Sequence, residues 1–463
     1  MAVKATRREF IAAAAAAGVL SSTSFAKSGK ADAPPNIIFI MADDIGYADV
    51  GVYGQRHIGT PNIDKLARDG LMLTQGYANS SICSPTRTAL ATGCYQQRFV
   101  IGLEEPVGRD APEDIGLPLE QPTIASVLKK QGYHTALVGK WHLGDTPWHG
   151  PLQHGYDHFF GIQKGAADYF RHRVEFDRDA PGDGLYLDNE PVERQGYLTK
   201  LFADETIDII RKSGGKTPFF ISLHFNAPHW PWEGPHDEEV SGKLKSIFHM
   251  DGGTLETYAE MVRSMDSNIG RVLATLDELN IADNTIVIFT SDNGGERFSD
   301  TWPFVGVKGE LLEGGIRVPL TIRWPARIKP GSLSDQVMTS MDFAPTLLKA
   351  AGGTPANYSF DGMDLLPVLL GEEKPRERTL FWRFKANEQA AVRQGEWKYL
   401  KMADQEHLFN VVRDPRERAE LKHRHPEKFA ELKALHAKWN KGMLPYPDSS
   451  FSEDVHRSYS DRY

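Results

Sequence analysis

Read for apolar and polar positions, the chain alternates between short unbroken apolar runs and longer amphipathic stretches. Residues 36–41 (Asn-Ile-Ile-Phe-Ile-Met) are a continuous run of strand length, the pattern of a parallel strand buried on both faces. Runs at 133–138, 218–225, 285–290 and 320–323 predict further strands. Between them, 60–67, 123–131, 201–211, 258–279 and 343–351 predict helices, the second stopped by Gly132. Residues 86–92 predict a helix with Pro85 in its first turn. The stretch 104–118 is polar, rich in Pro and Gly, and predicts a surface loop; 145–200 shows no regular period. From about 376 the character changes. Short runs at 379–383, 389–393 and 396–401 predict antiparallel strands, and 426–439 a charged amphipathic helix. Strands alternating with helices specify an α/β fold. The expectation is a large, central, mostly parallel mixed sheet flanked by helices, with a smaller C-terminal α+β subdomain carrying a short antiparallel sheet. The boundaries are a larger N-terminal domain at 34–370, the subdomain at 376–448 and a polar tail at 449–463.

Polar residues cluster just after these strands. Asp43-Asp44 follow the first, Lys140 and His142 the second, Asn226 to Trp230 the third, and Asp292-Asn293 the fourth. In open α/β sheets ligands bind outside the carboxyl ends of the strands. Adjacent carboxylates at the end of a buried strand repel each other and are costly to desolvate, and a bound cation resolves both. The plainer reading of the pair is a cap on the next helix. Asp43, Asp44, Asp292 and Asn293 are all oxygen donors, which selects a hard cation, Ca2+ over Mg2+ if the ligands are many and flexible. Arg87, Lys140 and Lys308 would surround an anionic group, while His142 and His229 could move protons near neutral pH. The 145–200 loops, with His172 and Arg173, and Trp230 beside His229, are candidates for contacts to substrate.

Composition changes the picture mainly at the N-terminus. Thr6-Arg7-Arg8-Glu9-Phe10 precedes a short Ala-rich apolar run, and Ser24-Phe25-Ala26 offers a cleavage site. This predicts a Tat signal peptide over 1–26, export by the Tat machinery, and a periplasmic or secreted protein without stable membrane insertion. The net charge of −9 becomes −11 once the leader is removed, which argues against nucleic acid as partner. Of the two cysteines, Cys83 and Cys94, an exported protein could make a disulfide, and that bridge is the bland alternative to a chemical role.

Cys83 lies in Ile82-Cys83-Ser84-Pro85-Thr86-Arg87, followed by Leu90-Ala91-Thr92-Gly93. A nucleophile at a helix N-terminus meets free N–H groups and suits an anionic substrate. Cys, Pro and Arg at this spacing, together with the strand-end clusters, resemble the formylglycine-dependent type I sulfatases of the alkaline-phosphatase superfamily. The resemblance runs from Asn36 to the Asp414-Pro415 turn. It implies that a formylglycine-generating or sulfatase-maturating enzyme oxidises Cys83 to formylglycine. It further implies that Asp43, Asp44, Asp292 and Asn293 bind Ca2+, with residue 83 completing the shell. Arg87 and His142 would orient and activate the aldehyde hydrate. Lys140, His229 and Lys308 would hold sulfate, with His229 as proton donor to the leaving alcohol. One hydroxyl of the hydrate would attack sulfur to form a covalent sulfate-enzyme intermediate, and the other would expel sulfate. Export and aromatic-bearing loops favour a sulfated polysaccharide or oligosaccharide as substrate: a galactan, an ulvan or a glycosaminoglycan. The alternatives are a phosphate or phosphonate monoester hydrolase, and a sulfoglycan-binding protein without turnover if Cys83 stays unmodified.

Overall fold

Asn36–Ala42 (β1) is the middle of the large sheet, and its side chains show why the run is unbroken. Successive strand residues point to opposite faces. Ile38, Ile40 and Ala42 enter one apolar core, packed with residues of the Leu198–Ser213 and Leu255–Glu278 helices. Ile37, Phe39 and Met41 enter the other, with residues of the Ile124–Lys129 and Phe343–Ala350 helices. Both faces are covered, so positions 37–42 are all apolar, and the one buried polar residue, Asn36 at the start, donates to the Thr285 hydroxyl. The computed structural model describes residues 33–108, 111–174, 176, 183–245, 247 and 252–452. The predicted leader, 1–26, and the tail beyond 452 lie outside the described residues. Among the described residues no helix is long and apolar enough to cross a membrane.

The remaining strands of this sheet are, in chain order, Leu71–Leu73 (β2), His134–Lys140 (β3), His158–Ile162 (β4), Leu185–Leu187 (β5), Glu190–Val192 (β6), Phe219–His224 (β7), Thr285–Ser291 (β8), Leu320–Arg323 (β9) and Ser332–Ser334 (β10). The order is β10-β2-β9-β8-β1-β7-β3-β4-β5-β6. The central five, β8-β1-β7-β3-β4, are parallel, so their carboxyl ends open on one edge. Antiparallel pairing at β8–β9, β9–β2, β4–β5 and β5–β6 makes the sheet mixed, as expected. Thr379–Phe384 (β11), Gln389–Gln394 (β12), Trp397–Met402 (β13) and Gln405–Asn410 (β14) form the C-terminal antiparallel sheet, packed against the Pro426–Asn440 helix.

Several expectations are corrected. The helix expected from residue 86 begins at Cys83 and runs to Thr92. Pro85 is tolerated because first-turn N–H groups have no intrahelical partner, and Gly93 at φ 68° ends the helix. The supposedly irregular 145–200 contains β4, β5 and β6. The 104–118 loop turns inward at its start: Glu104, Glu105 and Val107 are buried. The polar tail docks on it, with the Ser450 and Ser452 hydroxyls donating to Glu104 Oε2, each at 2.8 Å. Both cysteines are free, so there is no Cys83–Cys94 bridge. The Cys94 thiol donates to the Ser359 carbonyl instead.

Candidate active site

The predicted strand-end residues meet at the open edge of the parallel strands. β1 delivers Asp43 and Asp44, β3 ends on Lys140, the segment after β7 carries His229, and β8 leads into Asp292 and Asn293. Cys83 enters from the head of its helix. Ligand atoms of Asp43, Asp44 and Asp292 lie within 4.8 Å of one another, as do those of Asp43, Cys83 and His229.

Cations interleave these carboxylates. Lys140 Nζ is 2.6 Å from Asp43 Oδ2, and Lys308 Nζ is 2.7 Å from Asp44 Oδ2. Arg87 donates through Nε and Nη2 to Asp292 Oδ2 at 3.1 and 2.8 Å, and its Nη1 donates to the Lys140 carbonyl at 3.0 Å. Its Nη2 is also 3.7 Å from Asp43 Oδ1. Arg87 therefore braces the carboxylates and the end of β3. Lys140 and His142 do not share a continued strand. β3 stops at Lys140, and His142 takes φ 60° while its N–H stays bonded to the Gln163 carbonyl.

The donor set fits a hard cation on a direct structural test. Asp43 Oδ1 and Asn293 Oδ1 are buried acceptors to which nothing donates a hydrogen bond. Asn293 directs its amide nitrogen at Asp44 Oδ1, 2.7 Å away. Burial, then the charge of Asp292, pushes the Asp43 carboxyl well above the usual carboxylate range. Burial opposes ionisation of Asp44 too, but Lys308, His229 and Lys140 outweigh it and hold that carboxyl low. Crowded carboxylates with unfilled lone pairs match an ion that takes six to eight oxygens. Among the described residues, both groups of metal-capable side chains include Asp43, which describes one cation site.

Cys83 is 2% exposed, and burial pushes its thiol up to about 11 despite Lys140 and Lys308. Thiolate is the reactive form of cysteine, so the unmodified side chain is a poor nucleophile here. The His142 ring lies 3.0 Å through Nε2 from the Val107 carbonyl. A carbonyl only accepts, so Nε2 carries the proton and the unpartnered Nδ1 is left as a base. His229 uses Nδ1 toward the Trp230 carbonyl at 2.7 Å, and its Nε2 faces Asp44 Oδ2 at 3.6 Å. The Trp230 ring packs on His229 with centroids 4.4 Å apart. His172 is buried with Nε2 at 2.8 Å from the Gly196 carbonyl, and Arg173 offers its carbonyl to the Asp168 N–H at 3.0 Å. Those contacts tie His172 to Gly196 and Arg173 to Asp168 rather than to the carboxylate cluster.

Sequence reasoning missed three contributors. The Val107 carbonyl sets the His142 tautomer, and a backbone group leaves no residue-type signal. Glu296 Oε2 lies 3.5 Å from Lys308 Nζ and follows directly after the Asn293-Gly-Gly run, so its position was an available hint. Tyr169 donates to the carbonyls of Asn226 and His229, both at 2.9 Å, and anchors the His229 turn. The sequence marks it only as one of the aromatics of 145–200, candidates for stacking on sugar, and not as a support for His229.

The sequence model of the family described as Sulfatase matches residues 35–353. The chain belongs to the sulfatase family. A second match, described as N-sulphoglucosamine sulphohydrolase, C-terminal, covers residues 308–441 of this sulfatase. Human N-acetylgalactosamine-6-sulfatase is 35% identical over 367 residues, covering 75% of this chain and 68% of the relative. The structure of Ps i-CgsB in complex with k-i-k-neocarrahexaose aligns with TM-score 0.81 at 30% identity, covering 92% of this chain and 96% of that one. A Bacteroides thetaiotaomicron sulfatase from the metabolism of multiple glycosaminoglycans aligns with TM-score 0.72 at 25% identity, covering 88% and 99%. This sulfatase hydrolyses sulfate esters, and its structural neighbours include carbohydrate sulfatases.

The two site histidines set a pH expectation for the sulfatase. Burial, then Lys140, holds His142 well below the usual imidazole value; burial, then Lys308, does the same for His229. A bound cation pushes both in the same direction. A lowered pKa means that protonation needs more acid. His142 therefore stays unprotonated at neutrality, and if it serves as the base, the acid limb of kcat/KM is expected below the ordinary value of ~6.5. A pH series of kcat/KM with an acid limb at or above that value would contradict a neutral His142.

Proposed function

We propose that this sulfatase removes sulfate from sulfated polysaccharides or oligosaccharides of galactan, ulvan or glycosaminoglycan type. The observation that carries the reading is the likeness, over nine-tenths of the chain, to a structure in complex with k-i-k-neocarrahexaose. The half-buried Trp230 ring beside His229 adds an apolar face of the kind on which a sugar ring stacks.

In this reading Cys83 is oxidised to formylglycine by a maturation enzyme before the protein acts. The hydrated aldehyde supplies two hydroxyls on one carbon, one to attack sulfur and one to release sulfate. A Ca2+ held by Asp43, Asp44, Asp292 and Asn293 would draw charge from the sulfate oxygens. His142 takes a proton through Nδ1. Lys140 and Lys308, each already at a carboxylate, turn their remaining donors to the sulfate, and Arg87 keeps Asp292 and the end of β3 in register. His229, neutral in the resting site, gains a proton more readily once an anionic sulfate ester lies beside it. In that state it can protonate the leaving alcohol. Export through the Tat leader at 1–26 would bring the enzyme to extracellular glycans, and Tat carries folded proteins already matured in the cytoplasm.

The test is sulfate release from defined sulfated oligosaccharides beside a synthetic aryl sulfate. Turnover of at least one oligosaccharide class is expected. Trp230→Ala should raise KM on it by about tenfold, the loss of one stacking contact of ~1.5 kcal/mol, with little change on the aryl ester. Aryl sulfate turnover with none on any oligosaccharide would end the carbohydrate reading.

A further inference from the structure

A buried amide of the C-terminal sheet reaches the turn that carries Lys308. Gln389, the first residue of β12, is 2% exposed. Its Oε1 accepts from the Leu311 N–H at 2.8 Å, and its Nε2 donates to the Gly309 carbonyl at 2.8 Å and the Ala386 carbonyl at 3.0 Å. Both amide hydrogens and the carbonyl oxygen are thus engaged, and two of the three bonds grip the turn that follows Lys308. Gly309 sits at φ 83°, a left-handed conformation that favours glycine. Its N–H donates to the Ser81 carbonyl at 2.8 Å, two residues before Cys83. The Lys308 N–H donates to the Gly295 carbonyl at 3.0 Å, two residues after Asn293. The turn bearing Lys308 is therefore tied to the nucleophile helix, to the strand end that carries Asp292, and to the C-terminal sheet.

A second tie lies one turn further along. Lys398 on β13 places Nζ 3.0 Å from Glu313 Oε1 and 2.9 Å from Glu417 Oε1, with all three side chains out of solvent. Glu417 Oε2 accepts from the Glu313 N–H at 2.6 Å. Desolvation offsets much of the attraction in a buried ion group, but removing one partner leaves an uncompensated buried charge. The direction of this second tie agrees with that of Gln389: both join the C-terminal sheet to the segment 308–317.

We infer that Gln389 is a positioning residue for Lys308, so that the C-terminal sheet forms part of the catalytic unit. The inference rests on the proposed role of Lys308 in holding sulfate. Without the amide, the Gly309 carbonyl and Leu311 N–H lose buried partners and the turn relaxes. The ammonium at Asp44 then shifts relative to the sulfate.

A double-mutant cycle tests this. Gln389→Leu is close in volume and lacks both polar contacts. It should raise KM, and weaken inhibition by inorganic sulfate, by about tenfold or more, since small misplacements near a reacting group cost up to ~100-fold. In a Lys308→Ala background the same change should shift either quantity by no more than about twofold. Leu432→Ala is the structural control. Leu432 packs against Ala390, Val392, Tyr399 and Leu408 behind the same sheet; its truncation should lower Tm and leave KM unchanged. Equal losses from Gln389→Leu with and without Lys308, or the same KM shift from Leu432→Ala, would overturn the inference and leave the sulfatase site intact. Unaltered sulfate inhibition in Lys308→Ala alone would instead overturn the role given to Lys308, and this inference with it.

Discussion

Cys83→Ala is expected to lower sulfate release by a factor of about 10^4 or more, the scale seen when a covalent nucleophile is removed. Cys83 is the one side chain at the head of its helix that shares a 4.8 Å cluster with Asp43 and His229. The thiol itself is unsuited to the work, since burial keeps it protonated through neutral pH. Cys83→Ser separates attack from release. A serine hydroxyl can take up sulfate once, but it has no second hydroxyl on the same carbon to expel it. At most one equivalent per enzyme is expected, followed by arrest. Both variants should fold, because a small side chain is exchanged for a smaller or similar one at a site lined by polar groups. The checks are initial rates on a sulfate ester and the mass of the Cys83 peptide. That peptide should be lighter than its thiol form by the difference between CH2SH and CHO. Full turnover by enzyme whose peptide retains an intact thiol would sink the formylglycine assignment.

Chelation is expected to remove activity and Ca2+ to restore it, whereas Asp292→Asn should be nearly inactive and indifferent to Ca2+. Asp292 does two things at once. Its Oδ2 carries Arg87, and its carboxylate belongs to the oxygen cluster with Asp43 and Asp44. Asparagine keeps the shape and one carbonyl oxygen but removes a full negative charge from the cation site. A ligand that binds only the folded state stabilises it by ~2.7 kcal/mol at a hundredfold excess over Kd. The unfolding temperature of chelated wild-type enzyme should therefore rise on adding Ca2+, and that of Asp292→Asn should not. Turnover falls by about 10^3-fold, consistent with losing an electrostatic stabiliser of several kcal/mol. Differential scanning fluorimetry with and without Ca2+ gives a readout independent of turnover. An equal thermal shift in both proteins would remove Asp292 from the cation site.

Much of this architecture was legible along the chain. An apolar run of strand length such as 37–41 fits a strand covered on both faces, and the first polar residues after such a strand lie at its carboxyl end. Asp43-Asp44, Lys140 and Asp292-Asn293 could be assigned to one edge for that reason alone, and the all-oxygen donor set followed from residue type. The strand 158–162 was not legible. It is short, contains Gly161, and is stabilised by pairing with β3 rather than by its own pattern. The fourth C-terminal strand, β14, begins with Gln405-Glu406-His407, polar residues that only its neighbour β13 draws into the sheet.

What the sequence determined by itself was the set of chemical groups and the strand ends that carry them, because both depend on residues adjacent in the chain. The tertiary structure alone decided the protonation and aim of those groups. His142 becomes a base at Nδ1 because a loop some thirty residues earlier turns its Val107 carbonyl inward. Lys308 is aimed at Asp44 from a turn held by Gln389, eighty residues beyond Gly309. Contacts at such separations form only when the sheet brings distant segments together, and no local pattern of apolar and polar residues encodes them.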